Sequence, residues 1–165
     1  MDDHHTSLLN AVRYGGIEDV RRLLSEGNQA NAADRLGMTP LHWSVYYGKA
    51  EVAALLIDHG ADVHARDASG ETPMHYAAAR HTAVLAELLI RHGADVNAAD
   101  VMGQTPLHYA AIWDGGTKTA ALLIAKGASV NAADKEGYTP LALAEDRLFD
   151  GLAKLLRRHG GRVSK

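Results

Sequence analysis

His42, His75 and His108 recur at one fixed step, and Asp34, Asp67, Asp100 and Asp134 keep nearly the same beat. Imidazoles and carboxylates ligate metals and move protons, so these two series are the first candidates for chemistry. A zinc ion holds nitrogen at about 2.0–2.1 Å, so its ligands must converge within a few ångströms. Residues one repeat apart on packed helices are separated by about 8–10 Å, and the three histidines therefore cannot share one ion. Each is read instead as a tie between one repeat and the next. An aspartate recurring once per unit is likewise read as bracing a turn, its carboxylate accepting backbone N–H groups. Ser44 has no nucleophile-elbow context and Ser69 is a turn residue. Gly115-Gly116 is read as an interhelix turn rather than a phosphate cradle. His59, His92 and His159 fall at helix ends, and His4-His5 in an N-terminal tail. No catalytic group, cofactor or metal is expected.

The elements that position these groups follow from a longer string. Thr-Pro-Leu-His at Thr39 returns as Thr72-Pro73-Met74-His75 and Thr105-Pro106-Leu107-His108, then weakens to Thr139-Pro140-Leu141-Ala142. A fixed period of about 33 residues means stacked small units, not a globule around one pocket. Each unit reads as two short helices and a projecting turn, an all-α stack. Thr39 suits an N-cap and Pro40 the first helical position. Leu41, Ser44 and Val45 make one apolar stripe, and Val52, Leu55 and Leu56 make the next. Helices this short are marginal alone, so stability must come from faces buried between neighbours.

The expected division is a tail at 1–5, an N-capping repeat at 6–34, repeats at 35–67, 68–100 and 101–134, a C-capping repeat at 135–160, and a tail at 161–165. The fourth unit carries one inserted residue near 114–116. The end units are wetter: Arg21 and Arg22 in the first, Lys154, Arg157 and Arg158 in the last.

Net charge is −3, so bulk attraction to nucleic acid is not expected. Cysteine is absent, which removes disulfides and thiol chemistry and fits a reducing compartment. The polar start Met1-Asp2-Asp3 shows no secretory signal. No apolar run is long enough to span a bilayer. A cytoplasmic protein without membrane contact is expected.

With the period, the T-P-L-H-x-A string at His75-Tyr76-Ala77-Ala78 and His108-Tyr109-Ala110-Ala111, and the stretch Gly93-Ala94-Asp95-Val96-Asn97-Ala98, the chain resembles the ankyrin-repeat family. It departs locally. His81 and Asp114 stand where Gly15 and Gly48 separate the helices, and His64 stands where Asn31, Asn97 and Asn131 stand. The resemblance implies a solenoid of helix–turn–helix units with projecting β-turn or hairpin fingers, and a role in binding other proteins. It implies first helices lining a concave face, with contacts at their exposed ends and on the fingers. Asn97 and Asn131 resemble asparagines that are hydroxylated in some members.

Carried to matching positions, the contact set is Arg13, Tyr14, Arg35, Leu36, Met38, Tyr46, Tyr47, Arg66, Glu71, Arg80, Val101, Met102, Gln104, Ile112, Trp113 and Tyr138. Aromatic, methionine and arginine side chains are enriched at interface cores, and several of them on one face mark a recognition surface. Tyr46, Tyr47 and Trp113 are the expected anchors. Arg13, Arg35, Arg66 and Arg80 would steer a protein bearing an acidic patch. Five units at about 10 Å each give a groove about 40 Å long, enough for the roughly 800 Å² per partner of a specific complex. A monomer is expected, with pairing of two copies left open. Two alternatives stand beside the general binding module. One is a dedicated inhibitor, immunity factor or accessory chaperone for one enzyme. The other is an enzyme or small-ligand binder at the loop from Asp114 to Lys118.

Overall fold

The computed structural model describes residues 3–113 and 115–164, with side chains from Leu8 onward. The expectations placed on the side chains of His4 and His5 and on Asp114 fall outside the described residues. Among the described residues ten helices follow one another: α1 (Asp3–Tyr14), α2 (Ile17–Ser25), α3 (Pro40–Tyr46), α4 (Ala50–Asp58), α5 (Pro73–Ala79), α6 (Ala83–Arg91), α7 (Pro106–Ile112), α8 (Thr117–Ala125), α9 (Pro140–Asp146) and α10 (Asp150–Arg158). The odd-numbered helices pack in one row and the even-numbered in a second, each touching its counterpart in the neighbouring unit. Helix α1 begins inside the segment read as a tail.

Sequence chemistry sets each helix start. Thr39 is the N-cap of α3, its Oγ1 accepting the His42 N–H, with Pro40 at the first helical position. Thr72, Thr105 and Thr139 hold the same N-cap position before α5, α7 and α9, each followed by proline. Leu8, Leu41, Met74, Leu107 and Leu141 form a continuous buried row across the first helices. Leu56, Leu89, Leu123 and Leu156 form another across the second helices. Fully burying a leucine contributes about 1.5–3 kcal/mol, and all of these side chains belong to one core cluster. Ala77, Ala78, Ala110 and Ala111 are completely buried, and their small size lets α5 and α7 approach closely. On the end helices Arg22 pairs with Glu26 at 3.0 Å and Arg157 with Glu145 at 2.7 Å.

Between units the chain bends into fingers. Each aspartate binds its own turn: Asp34 Oδ1 accepts Leu36 and Met38 N–H, Asp67 accepts Ser69 and Glu71, Asp100 accepts Met102 and Gln104, and Asp134 accepts Glu136 and Tyr138. Adjacent fingers are joined by backbone bonds, Ala68 N–H to Leu36 O at 2.9 Å, Val101 to Ser69 at 3.0 Å and Lys135 to Met102 at 2.8 Å. The first unit is clamped by Lys49, whose Nζ donates to the carbonyls of Val12, Arg13 and Gly15 at the end of α1. A cation there also complements the negative helix terminus.

The turn between helices corrects one register assignment. Its left-handed residue is Gly48 (φ 70) in the second unit, His81 (φ 56) in the third, Gly115 (φ 97) in the fourth and Leu148 (φ 59) in the fifth. Gly115, not Asp114, therefore stands opposite Gly48, and the glycine is present in the fourth unit.

The repeated asparagines staple consecutive units. Asn31 Nδ2 donates to Gly60 O at 2.9 Å while its Oδ1 accepts Asp62 N–H at 2.7 Å. Asn97 makes the same pair with Gly127 and Ser129, and Asn131 with Gly160 and Arg162. His64 occupies that position in the second unit and is exposed. An imidazole cannot present a donor and an acceptor on adjacent atoms as a carboxamide does. His64→Asn should supply the staple and raise stability by about 1 kcal/mol, the net worth of such bonds. Urea unfolding checks this; no gain in midpoint would mean that the third unit holds its loop too far away.

Candidate functional site

The three registered histidines are structural. His42 Nδ1 accepts the Thr39 N–H at 3.1 Å and meets its hydroxyl at 2.9 Å, leaving Nε2–H to donate across the unit boundary to Glu71 O at 3.1 Å. His75 does the same with Thr72 and Gln104, and His108 with Thr105 and Tyr138. Burial lowers the pKa of all three below the ordinary 6.5, outweighing the backbone bond that favours charge. These rings are neutral, with both nitrogens occupied. Among the described residues no group of three or more histidine or acidic side chains is placed to hold a metal ion. His59 and His92 bond Leu55 O and Leu88 O at the ends of α4 and α6.

The aromatic position after each histidine also bonds its own finger. Trp43 Nε1 donates to Asp34 Oδ2 at 3.0 Å, Tyr76 Oη to Asp67 at 2.7 Å and Tyr109 Oη to Asp100 at 2.8 Å. The hydroxyls of Tyr76 and Tyr109 are pushed far above their ordinary pKa of 10, first by burial and then by neighbouring carboxylates. For Asp134, burial raises the pKa, but bonds from Gln104, Tyr138 and Glu136 outweigh it and hold the carboxyl below 3.8.

Several expected contact residues converge. Tyr46, Glu71, Arg80 and Trp113 line one groove of about 520 Å³, with Tyr76, Ala79, His81 and Tyr109 completing it. Rings run along this face: Trp43 lies 5.6 Å from Tyr46 and stacks on Tyr47 at 5.8 Å, and Tyr46 meets Tyr76 edge-on at 6.2 Å. Trp113 is 58% exposed, Tyr46 37% and Tyr47 43%. The contact set read from sequence omits Trp43, Tyr76 and Tyr109. A signal for them exists, since each stands one turn beyond its capping threonine on the same helix, but within the family string they read as structural.

Other members of the set do not reach the groove. Tyr14, Leu36, Val101 and Met102 are exposed, the first at the end of α1 and the rest on fingers. Arg35 is exposed on a finger, and Ile112 is half-buried, its carbonyl accepting an Arg147 N–H. Three expectations need correction. Met38 is only 5% exposed and belongs to the core, because the residue before the capping threonine turns inward there. Gln104 commits its amide to Asp134 at 3.1 Å. Arg13 is half-buried, paired with Asp34 and laid on the Trp43 ring 3.8 Å from its centre. Arg66 stays exposed, as expected, while it donates to Gly70 O and Ala99 O and braces one finger against the next. Glu71 and Tyr138 are half-buried; the Glu71 carboxylate accepts from Tyr109. Of the four arginines Arg13 alone has its charge paired with a carboxylate, which leaves Arg35, Arg66 and Arg80 exposed.

A cavity of about 330 Å³ lies beside the loop after Trp113, walled by Thr117, Arg147, Phe149 and Asp150. Among the described residues it gathers no catalytic constellation. No helix among the described residues is long and apolar enough to cross a membrane.

Family profiles match most of the chain. One described as ankyrin repeats (3 copies) covers residues 63–134 and 87–164, and one described as ankyrin repeats (many copies) covers residues 23–77. No curated protein matches the chain.

Proposed function

The chain belongs to the ankyrin-repeat family, whose members are protein–protein interaction modules, and from that premise we propose that it is a non-enzymatic module gripping another protein through the aromatic groove. One observation carries the reading: Tyr46, Tyr47 and Trp113 stay exposed on first helices whose leucines Leu41, Leu107 and Leu141 are almost completely buried. Burying aromatic rings of this size in a partner contributes strongly to affinity, and such residues dominate measured hot spots. Ring walls with a few polar groups suit recognition of a segment or edge of a folded protein. Tyr14, Leu36, Val101 and Met102 add exposed apolar surface outside the groove, at the end of α1 and on the fingers.

Capture of partners from the native cell by wild type and by Tyr47→Ala/Trp113→Ala tests this. The double variant should fold as wild type does and lose at least about tenfold in affinity, the effect of removing one to two hot-spot anchors. Undiminished capture by a folded double variant removes the groove from consideration.

A further inference from the structure

We propose that the groove receives an arginine or lysine side chain from its partner, laid over the Tyr109 ring beside the carboxylate of Glu71. This rests on the groove reading above and names the chemistry of its occupant.

The chain itself shows what fills the corresponding place elsewhere. At the first unit boundary Arg13, from α1, lies over Trp43 of the next unit and pairs with Asp34, the finger carboxylate that also binds Trp43. A guanidinium on an aromatic face beside a carboxylate is a favourable arrangement, since ring quadrupole and ion pair attract the same charge. Register maps this position forward by one period. Arg13 corresponds to Tyr46 and then to Ala79; Trp43 corresponds to Tyr76 and then to Tyr109; Asp34 corresponds to Asp67 and then to Asp100. At the second boundary Tyr46 fills the slot with its own ring, in contact with Tyr76. At the third the slot holds only Ala79, and the groove opens there. The aromatic ring and the finger carboxylate remain, and the cation is gone.

A second observation concerns proton supply. The Tyr109 hydroxyl carries one hydrogen and faces two carboxylates, Asp100 and Glu71. One O–H cannot donate fully to both. An entering ammonium or guanidinium brings several donors to a site where acceptors outnumber them. Arg80 shows that rings in this groove accept such a group, because its guanidinium carbon already lies 5.1 Å from the Tyr46 ring centre. Arg80 is exposed and belongs to the Tyr46 wall, so it repels an incoming cation without occupying the Ala79 slot.

The probe is a set of decapeptide pools with arginine, lysine, norleucine or glutamate fixed at the centre and randomised flanks, titrated against the full chain. Wild type should bind the arginine and lysine pools about tenfold more tightly than the norleucine pool. Ala79→Arg should fill the slot from within, as Arg13 does, and erase that preference. Glu71→Gln should erase it too, while Arg80→Ala should strengthen it. Thermal unfolding verifies that each variant folds. Equal binding of norleucine and arginine pools, a preference for glutamate, or an Ala79→Arg protein that discriminates like wild type would each overturn the proposal. If binding ignores the central residue yet falls with Trp113→Ala, only the cation assignment fails. If it also ignores Trp113 and Tyr47, the groove reading fails with it. No binding to any pool overturns recognition of a cationic segment and leaves partner capture to judge the groove.

Discussion

Lowering the pH from 7.5 to 5.5 should destabilise this fold steeply, at up to about 4 kcal/mol per pH unit once below 6.5. His42, His75 and His108 are fully buried, and burial depresses their pKa in the folded state. Above 6.5 both folded and unfolded chains hold neutral imidazoles, and stability is fully present. As pH falls below that value the unfolded chain takes up protons that the folded chain refuses, so the balance moves toward unfolding until the depressed folded values are reached. Each such group contributes a limiting slope of about 1.4 kcal/mol per pH unit. Geometry explains the refusal. A protonated Nδ1 would present a hydrogen to the Thr39, Thr72 or Thr105 N–H that now donates to it. Asp134 acts in a separate window, losing its contribution only as pH falls through and below 3.8. Urea unfolding at pH 7.5, 6.5 and 5.5 reads the slope. Stability unchanged between pH 7.5 and 5.5 would refute the account of the three buried rings.

Gly37→Ala should cost about 3 kcal/mol, whereas Gly48→Ala should cost only about 1 kcal/mol. Both glycines have left-handed backbone, φ 77 and φ 70. That conformation costs an ordinary residue about 1–2 kcal/mol. They differ in what a methyl group would meet. At Gly48 nothing lies within 4 Å. At Gly37 the new carbon would stand 2.8 Å from the Ala68 nitrogen and 3.0 Å from the Asp67 Cα, both backbone atoms of the next finger. Those atoms cannot rotate away, and the Ala68 N–H to Leu36 O bond between fingers would have to lengthen. Overpacking of that kind adds about 1–3 kcal/mol. Equal losses for the two variants, measured by denaturant unfolding, would show that the fingers are not held at the spacing described.

How much of the site is legible in the sequence depends on how far each interaction reaches along the chain. Asp34 and its kin are readable as turn braces because the N–H groups they accept lie within their own turn. Thr39 and Pro40 are readable as a helix start for the same reason. His42 can be read as an inter-unit tie because a period brings the same pair together at every boundary. Met38 misleads: its residue type suits an interface, but its backbone sits where the finger turns into the next helix, and that carries the side chain inward. Arg13 misleads because an arginine's charge is visible in a sequence whereas its neighbours are not. Arg13 meets Asp34 at the far end of its own unit and Trp43 in the next, separations along the chain closed only by packing α1 against α3.

The sequence alone determined the period, the two-helix unit, the finger chemistry and the ring ties, since all of these repeat from unit to unit and most bond locally. Tertiary structure alone decided which side chains share a void. That depends on the size of the residue facing it from the preceding unit, an arginine at one boundary, a tyrosine at the next and an alanine at the third. No window within a single repeat contains that comparison, so the opening beside Ala79 appears only once the units are stacked.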